Sequence, residues 1–386
     1  MLKTPQFRYF LSDDHHPVNK DDSIWRSNPP TGRRHPQATG SEKSDITYGE
    51  YFEAVSHFLD KSADWKTNVA ASIFTHGIRP WELTAYSIYL EKHGAFYHPG
   101  RVVVPIRGRT LSMVVNVAIS EVGKTYLNQE VENLIRLQHM FSYDFLPKVY
   151  GSGQVVIDEK RTVSMFIGEW FEDYAEFHVS QKKDGQAACI MVWDPAAGPY
   201  ALSENLAAAV YEQAAEILTA CYAIETCEQI FSWHHAAGDF VVKHDPGGVK
   251  VKLVTVRRYG RIFESHETGP EAMVPALLLF LLNMSIRMRL DRLDGVGELT
   301  WLDDYAVDGA VRGFFKGLER KEKNGILPSE IADAIKQYLQ QIPKADILGL
   351  FKAMVDRLPP ETPDLPTIQA HINAHVDSFL RSLRRI

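Results

Sequence analysis

Apolar positions recur along the chain with two periods, one helical and one alternating. Between residues 47 and 91 the period is helical: Phe52, Val55, Phe58 and Leu59 fall at i, i+3, i+6 and i+7. A helical extension is predicted there, broken at Pro80. Residues 101–106 and 111–119 read as strands around a turn of Arg107, Gly108, Arg109 and Thr110. Residues 127–139 return to the helical period. Leu127, Val131, Leu134 and Gln138 share one side, and Glu130 lies next to it. Strands are predicted at 146–151, 154–157 and 162–170, with turns at 151–153 and 158–161. Residues 169–178 are dense in aromatics and carboxylates and read as an amphipathic strand. Its hairpin would turn at Lys183, Asp184 and Gly185 and return over 188–193.

Asp194 to Pro199 breaks the chain, and Ser203 is placed to cap a helix over 203–226. Residues 231–260 read as a loop, a strand at 240–243, a turn at 244–248 and a strand at 249–256. Pro246 fixes φ at that turn, and Gly247 and Gly248 allow positive φ. The apolar run 273–286 is too short to span a bilayer and reads as a buried helix within 270–290. Further helices are predicted at 304–320, 328–341, 345–357 and 367–383. Residues 1–45 read as a loop-rich or disordered segment, since 12–45 are rich in Asp, Ser, Pro, Gly and Arg. The helical extension then occupies 46–92.

A length of 386 residues allows one large or two medium domains. The net charge of -7, with no long basic run, argues against a nucleic-acid partner. Cys189, Cys221 and Cys227 form no CxxC pair, which suggests buried thiols in a reducing compartment. The first residues lack the apolar core of a signal peptide, so a cytoplasmic location away from membranes is expected.

His234, His235 and Asp239 crowd the loop ahead of the strand at 240. Loops held by a rigid hairpin commonly carry chemistry. Adjacent histidines in an extended loop face opposite sides, so both rarely bind one ion. His178 and His266 add no diagnostic metal spacing. A purely structural account has Asp239 buried and bonded to backbone, with a histidine packed under Trp233. Arg287, Arg289 and Arg292 with Asp291 and Asp294 predict a solvated or capping network at a helix end.

The stretch FSWHHAAGDFVVKHDPGGVKVKLVTVRRYG resembles the catalytic-loop hairpin of the protein-kinase-like fold. That hairpin carries His-Arg-Asp, then Asn, a strand, a turn, and a strand ending in Asp-Phe-Gly. In this register Ser232-Trp233-His234 replaces His-Arg-Asp, Asp239 takes the Asn position, and Thr255-Val256-Arg257 replaces Asp-Phe-Gly. A second register reads Gly238-Asp239 as the Gly-Asp of small-molecule kinases and shortens the loop. Residues 111–139 resemble the kinase small lobe, where a strand Lys pairs with a helical Glu and holds ATP phosphates. MVVNVAIS puts Asn116 at that Lys, while Glu130 matches the Glu and Lys124 stands in the loop between. Residues 169–178, beginning at Glu169, correspond to the hinge against which adenine stacks.

The resemblance covers roughly residues 85–320 and implies an α+β, two-lobed protein-kinase-like fold. An antiparallel-sheet small lobe would occupy 93–175, and a mostly helical large lobe with the hairpin 176–386. It implies ATP with Mg²⁺ as cofactor, His234 and Asp239 as catalytic residues, and Asp239 as the metal ligand. Asn116, Glu130, Glu169, Thr255 and Arg257 would line the nucleotide. Two readings stand open. One is a pseudokinase-like module that binds a nucleotide, another small molecule or a protein without turnover. The other is an atypical phosphotransferase, with His234 as base and Lys243, Arg257 or Arg258 on phosphates. A metal hydrolase built on His234, His235 and Asp239 is a third account.

Overall fold

The computed structural model of the protein describes residues 4–11, 16–30, 46–62, 64–73, 79–94, 96–141, 143–181, 188–231, 233, 238–262, 270–295 and 297–386. The chain divides into two compact units, 1–140 with 147–172 and 141–146 with 173–386.

In the first unit come β1 (Gln6–Leu11), α1 (Tyr48–Lys61), α2 (Asp64–Ile73), β2 (Ala85–Leu90) and β3 (His98–Ile106). β4 (Arg109–Ala118), α3 (Glu121–Met140), β5 (Val149–Val156) and β6 (Thr162–Glu169) complete it. The strands form one sheet in the order β1-β2-β3-β4-β6-β5. Every pair is antiparallel except β1–β2, which runs parallel with Gln6 opposite Ala85. The β3–β4 hairpin turns at Arg107 and Gly108, both at positive φ.

Alternation along β4 and β6 gives the sheet two distinct faces. Met113, Val115 and Val117 with Val163, Met165 and Ile167 lie fully buried in one apolar cluster with Tyr51, Phe52, Val55 and Trp65 of α1 and α2. Asn116 and its partner Phe166 have the opposite parity, and α3 packs against β4, β5 and β6. Thr47 starts α1 with a capping box: its side chain accepts from the Glu50 N–H at 3.1 Å, and the Glu50 carboxylate accepts from the Thr47 N–H at 2.7 Å. Thr47→Ala is expected to lower the urea stability of this unit by about 1 kcal/mol. An unchanged midpoint would show that the box adds nothing.

Several elements differ from the sequence expectation. The predicted loop-rich segment contains β1, and the predicted helical extension contains β2. In β2, Tyr86, Ile88 and Leu90 alternate inward, the strand period rather than the helical one. Residues 146–151 and 154–157 are not two strands around a turn. β5 runs continuously through Gly151, Ser152 and Gly153, with a bulge between Val149 and Gly151. The glycines are there for packing, because a Cβ on Gly151 would lie 2.9 Å from the Trp65 Cβ.

The second unit begins with β7 (Ala175–Ser180), β8 (Cys189–Asp194), β9 (Gly198–Ala201) and α4 (Glu204–Ala220). β10 (Gln229–Phe231), β11 (Phe240–Asp245), β12 (Gly248–Leu253) and β13 (Arg258–Gly260) follow. Then come α5 (Pro270–Arg287), β14 (Leu290–Arg292), β15 (Leu299–Trp301), α6 (Asp304–Lys323), α7 (Ser329–Gln341), α8 (Lys344–Val355) and α9 (Leu365–Leu383). The main sheet has the order β12-β11-β7-β8-β9, with antiparallel pairs throughout. The predicted hairpin at 169–193 is present as β7–β8, while its turn lies outside the described residues. β9 was not anticipated. α4 has the predicted cap, Ser203, but ends at Ala220 instead of 226.

α4 lies along both the sheet and α6. Gln213 covers the edge of β12, donating to the Val249 carbonyl at 2.7 Å and accepting from the Val251 N–H at 2.9 Å. On the other side, Gly309, Gly313 and Gly317 of α6 let the two backbones approach closely. A Cβ on Gly313 would overlap the Glu212 carbonyl and sit 2.7 Å from the Ala215 Cβ. Arg312 and Lys316 bind Glu212 along this seam, and Arg320 binds Glu216.

Residues 141–146 are supplied to this unit from between α3 and β5. The Phe145 carbonyl accepts from the Leu253 N–H at 3.0 Å, and the Lys252 ammonium donates to the Asp144 carbonyl at 2.7 Å. Phe141 packs under the buried Lys321 ammonium at 4.7 Å. The chain is thus mixed α+β with mainly antiparallel sheets. No helix among the described residues is long and apolar enough to cross a membrane.

Candidate functional site

The β11–β12 hairpin holds Asp239 at its root. Phe240 pairs with Leu253 and Asp245 with Gly248, so Pro246 and Gly247 form the turn and Gly248 takes φ 121°. One step beyond the ladder, the Val254 N–H donates to the Asp239 carbonyl at 2.9 Å. That bond sets Thr255, Val256 and Arg257 beside Asp239. The Arg257 Nη1 reaches the Asp239 Oδ1 at 2.7 Å. Asp239 is buried and Arg257 half-buried. Thr255 is half-buried, and its Oγ1 is enclosed with no hydrogen-bond partner among the described residues. The structure therefore brings Asp239, Thr255 and Arg257 together. His234 and His235 lie outside the described residues, and Trp233 beside them is buried.

The other cations of the hairpin are engaged elsewhere. Lys243 binds Asp173 at 2.7 Å, and Arg258 lies over the Phe231 ring at 6.0 Å. Among the described residues no group of three or more His, Cys, Asp or Glu side chains could hold a metal ion.

In the first unit, Asn116 sits on β4 between Pro99 and Phe166, half-buried on the face away from the α1–α2 core. Glu130 is 1% exposed on α3, which packs on β4, β5 and β6. Lys124 is not in a loop: it belongs to the first turns of α3, is buried, and binds Glu121 at 2.6 Å and the Thr162 hydroxyl at 3.0 Å. Glu169 ends β6 opposite Met113, the opposite parity to Asn116, and accepts from the Lys148 N–H at 3.3 Å.

Two further groupings escaped the sequence reading. The Nδ1 atoms of His93 and His98 lie 2.9 Å apart, within hydrogen-bond distance, and burial pushes His98 down to about 4. The second corrects the predicted solvated network at 287–294. Arg289 and Asp291 are buried, and the half-buried Arg287 pairs with the buried Asp364 at 3.0 Å. Burial pushes Asp291 up to about 7, against the Arg292 N–H, the His178 charge and the Val179 N–H, which favour its ionised form. His178 lies on β7, with its ring 4.6 Å from Trp193 and Glu176 at 3.8 Å. Gly295, at φ 71°, approaches that ring so closely that a Cβ there would lie 2.8 Å from it. No short spacing signals this grouping, since β7 and β14 are far apart in sequence.

No family model matches the chain, and no curated protein matches it. Among solved structures, WaaP in complex with acyl carrier protein is similar to it with a TM-score of 0.30 and 11% identity, over 66% of this chain and 83% of that one.

Proposed function

We propose that the chain is a kinase-like domain with degenerate catalytic motifs, acting as a non-catalytic, pseudokinase-like module that binds a ligand or a protein. The observation that carries this reading is the Asp239–Arg257 ion pair at 2.7 Å. Phosphoryl transfer needs a cation at the transferring phosphates and carboxylates for Mg²⁺. Asn116 supplies no charge and Thr255 no carboxylate. Asp239 keeps its carboxylate, but a guanidinium already occupies it. Charge-assisted hydrogen bonds of this kind contribute about 1.5–3 kcal/mol, which an incoming metal would have to replace. These residues do not fit Mg²⁺-ATP as a resident cofactor. The single helix bearing a buried Glu130 against the face of β4 that carries Asn116 supports the small-lobe likeness of the first unit.

The test is thermal stability with ATP, ADP, GTP and AMP, each with and without Mg²⁺ or Mn²⁺, beside an assay for phosphate transfer. Wild type is expected to turn over no Mg²⁺-ATP and to show no metal-dependent stabilisation. A nucleotide at about a hundred times its Kd stabilises by about 2.7 kcal/mol, so a response is easily read. Metal-dependent stabilisation that vanishes in Asp239→Ala and strengthens in Arg257→Gln would overturn the proposal and establish the atypical phosphotransferase. A flat response to every nucleotide favours a protein partner.

A further inference from the structure

The C-terminal helices of the second unit form a groove that the reading above does not use. A cavity of about 420 Å³ opens between α5, α7 and α8. That volume lies within the range of small-molecule sites. Leu278 and Leu279 of α5 line it, with the exposed Pro275 extending the same wall. Ala353 on α8 keeps the opposite side shallow and exposed. Only two lining side chains are polar, Tyr338 of α7 and Arg357 just past α8. Both are exposed, and among the described residues neither the Tyr338 hydroxyl nor the Arg357 guanidinium has a side-chain partner.

An apolar trough with one uncompensated guanidinium beside it is complementary to an unbranched apolar tail carrying a single anionic head. A guanidinium fork matches a carboxylate with two parallel hydrogen bonds. A partner helix, about 10–12 Å across with its side chains, would engage a longer surface and would bring more than one charge to pair. We infer that this groove binds a long-chain carboxylate, with the tail between α5 and α8 and the head on Arg357. The inference is independent of the kinase-like reading.

Calorimetric titration of the full chain with dodecanoate, dodecanol and acetate tests it. Dodecanoate is expected to bind at one site, dodecanol about tenfold more weakly, and acetate not at all. Arg357→Gln should bring dodecanoate down to the dodecanol level and leave dodecanol unchanged. Ala353→Trp, an outward substitution, should block both while leaving the urea midpoint in place. Should Ala353→Trp lower that midpoint, Arg357→Gln alone decides through the dodecanoate-to-dodecanol ratio. Failure of dodecanoate to bind below its own self-association concentration overturns the inference. So does a ratio untouched by Arg357→Gln.

Discussion

Gly313→Ala is expected to destabilise the second unit by about 3 kcal/mol, and Gly313→Val by more than about 4 kcal/mol. Either is a large fraction of the 5–15 kcal/mol that holds a typical domain together. The obstacle is the Glu212 carbonyl on α4, a backbone atom that cannot rotate away. Helix propensity alone points the other way, since Ala in a helix interior is better than Gly by about 0.8–1 kcal/mol. Gly349 on α8 provides the control: it is exposed, and a Cβ there meets nothing within 4 Å. Gly349→Ala should therefore stabilise by about 1 kcal/mol. Urea midpoints for the two alanine variants are expected to move in opposite directions. If both rise, α4 and α6 do not pack at the observed separation.

The second large effect is a pH dependence centred on Asp291. Its carboxyl lies near 7 in the fold against an ordinary 3.8. The folded state thus holds the proton more tightly than the unfolded chain. Its stabilising contribution is complete below about pH 4 and is lost as the pH rises through 7. The full span corresponds to about 4 kcal/mol. His178 and the Val179 N–H act on the group from β7, Glu176 lies 3.8 Å from His178, and Tyr211 of α4 and Tyr305 of α6 lie within its field. His375, buried beside Ser285 and pushed down to about 3, works oppositely: it costs stability as the pH falls below 6.5. The difference between Asp291→Asn and wild type therefore isolates Asp291. The variant is expected to match wild type below about pH 4 and to exceed it by up to about 4 kcal/mol at pH 8, about 3 kcal/mol of that difference opening between pH 5 and pH 8. Equal stabilities across that range would mean that Asp291 stays ionised in the fold.

Elements whose signal is local were legible in the sequence. The β11–β12 hairpin follows from Pro246, Gly247 and Gly248, and α4 from Ser203 and a run of apolar positions. β1 was not legible because the strand it pairs with, β2, lies more than seventy residues on. α3 begins at Glu121, ahead of the apolar stripe at Leu127, because the Ser120 hydroxyl accepts from the Gly123 N–H at 3.1 Å and starts the helix early. Within the candidate site, Asp239 and Arg257 were each singled out, one for metal and one for phosphate. Their pairing depends on how the strand leaves the ladder after Leu253, which periodicity does not encode. The groups around Asp291 were legible as charges but not as buried charges, because β14 is three residues long and gains its cover from β7.

The short segment 141–146 bears on whether the two halves of this protein could ever be exchanged as cassettes. A gene fragment starting at codon 173 would encode every helix and strand of the second unit yet omit the residues that seat Leu253, Lys252 and Lys321. A recombination event that swapped the first unit wholesale would carry this strap away with it. Exchange of the first unit therefore preserves the second only where the incoming piece brings an equivalent of 141–146.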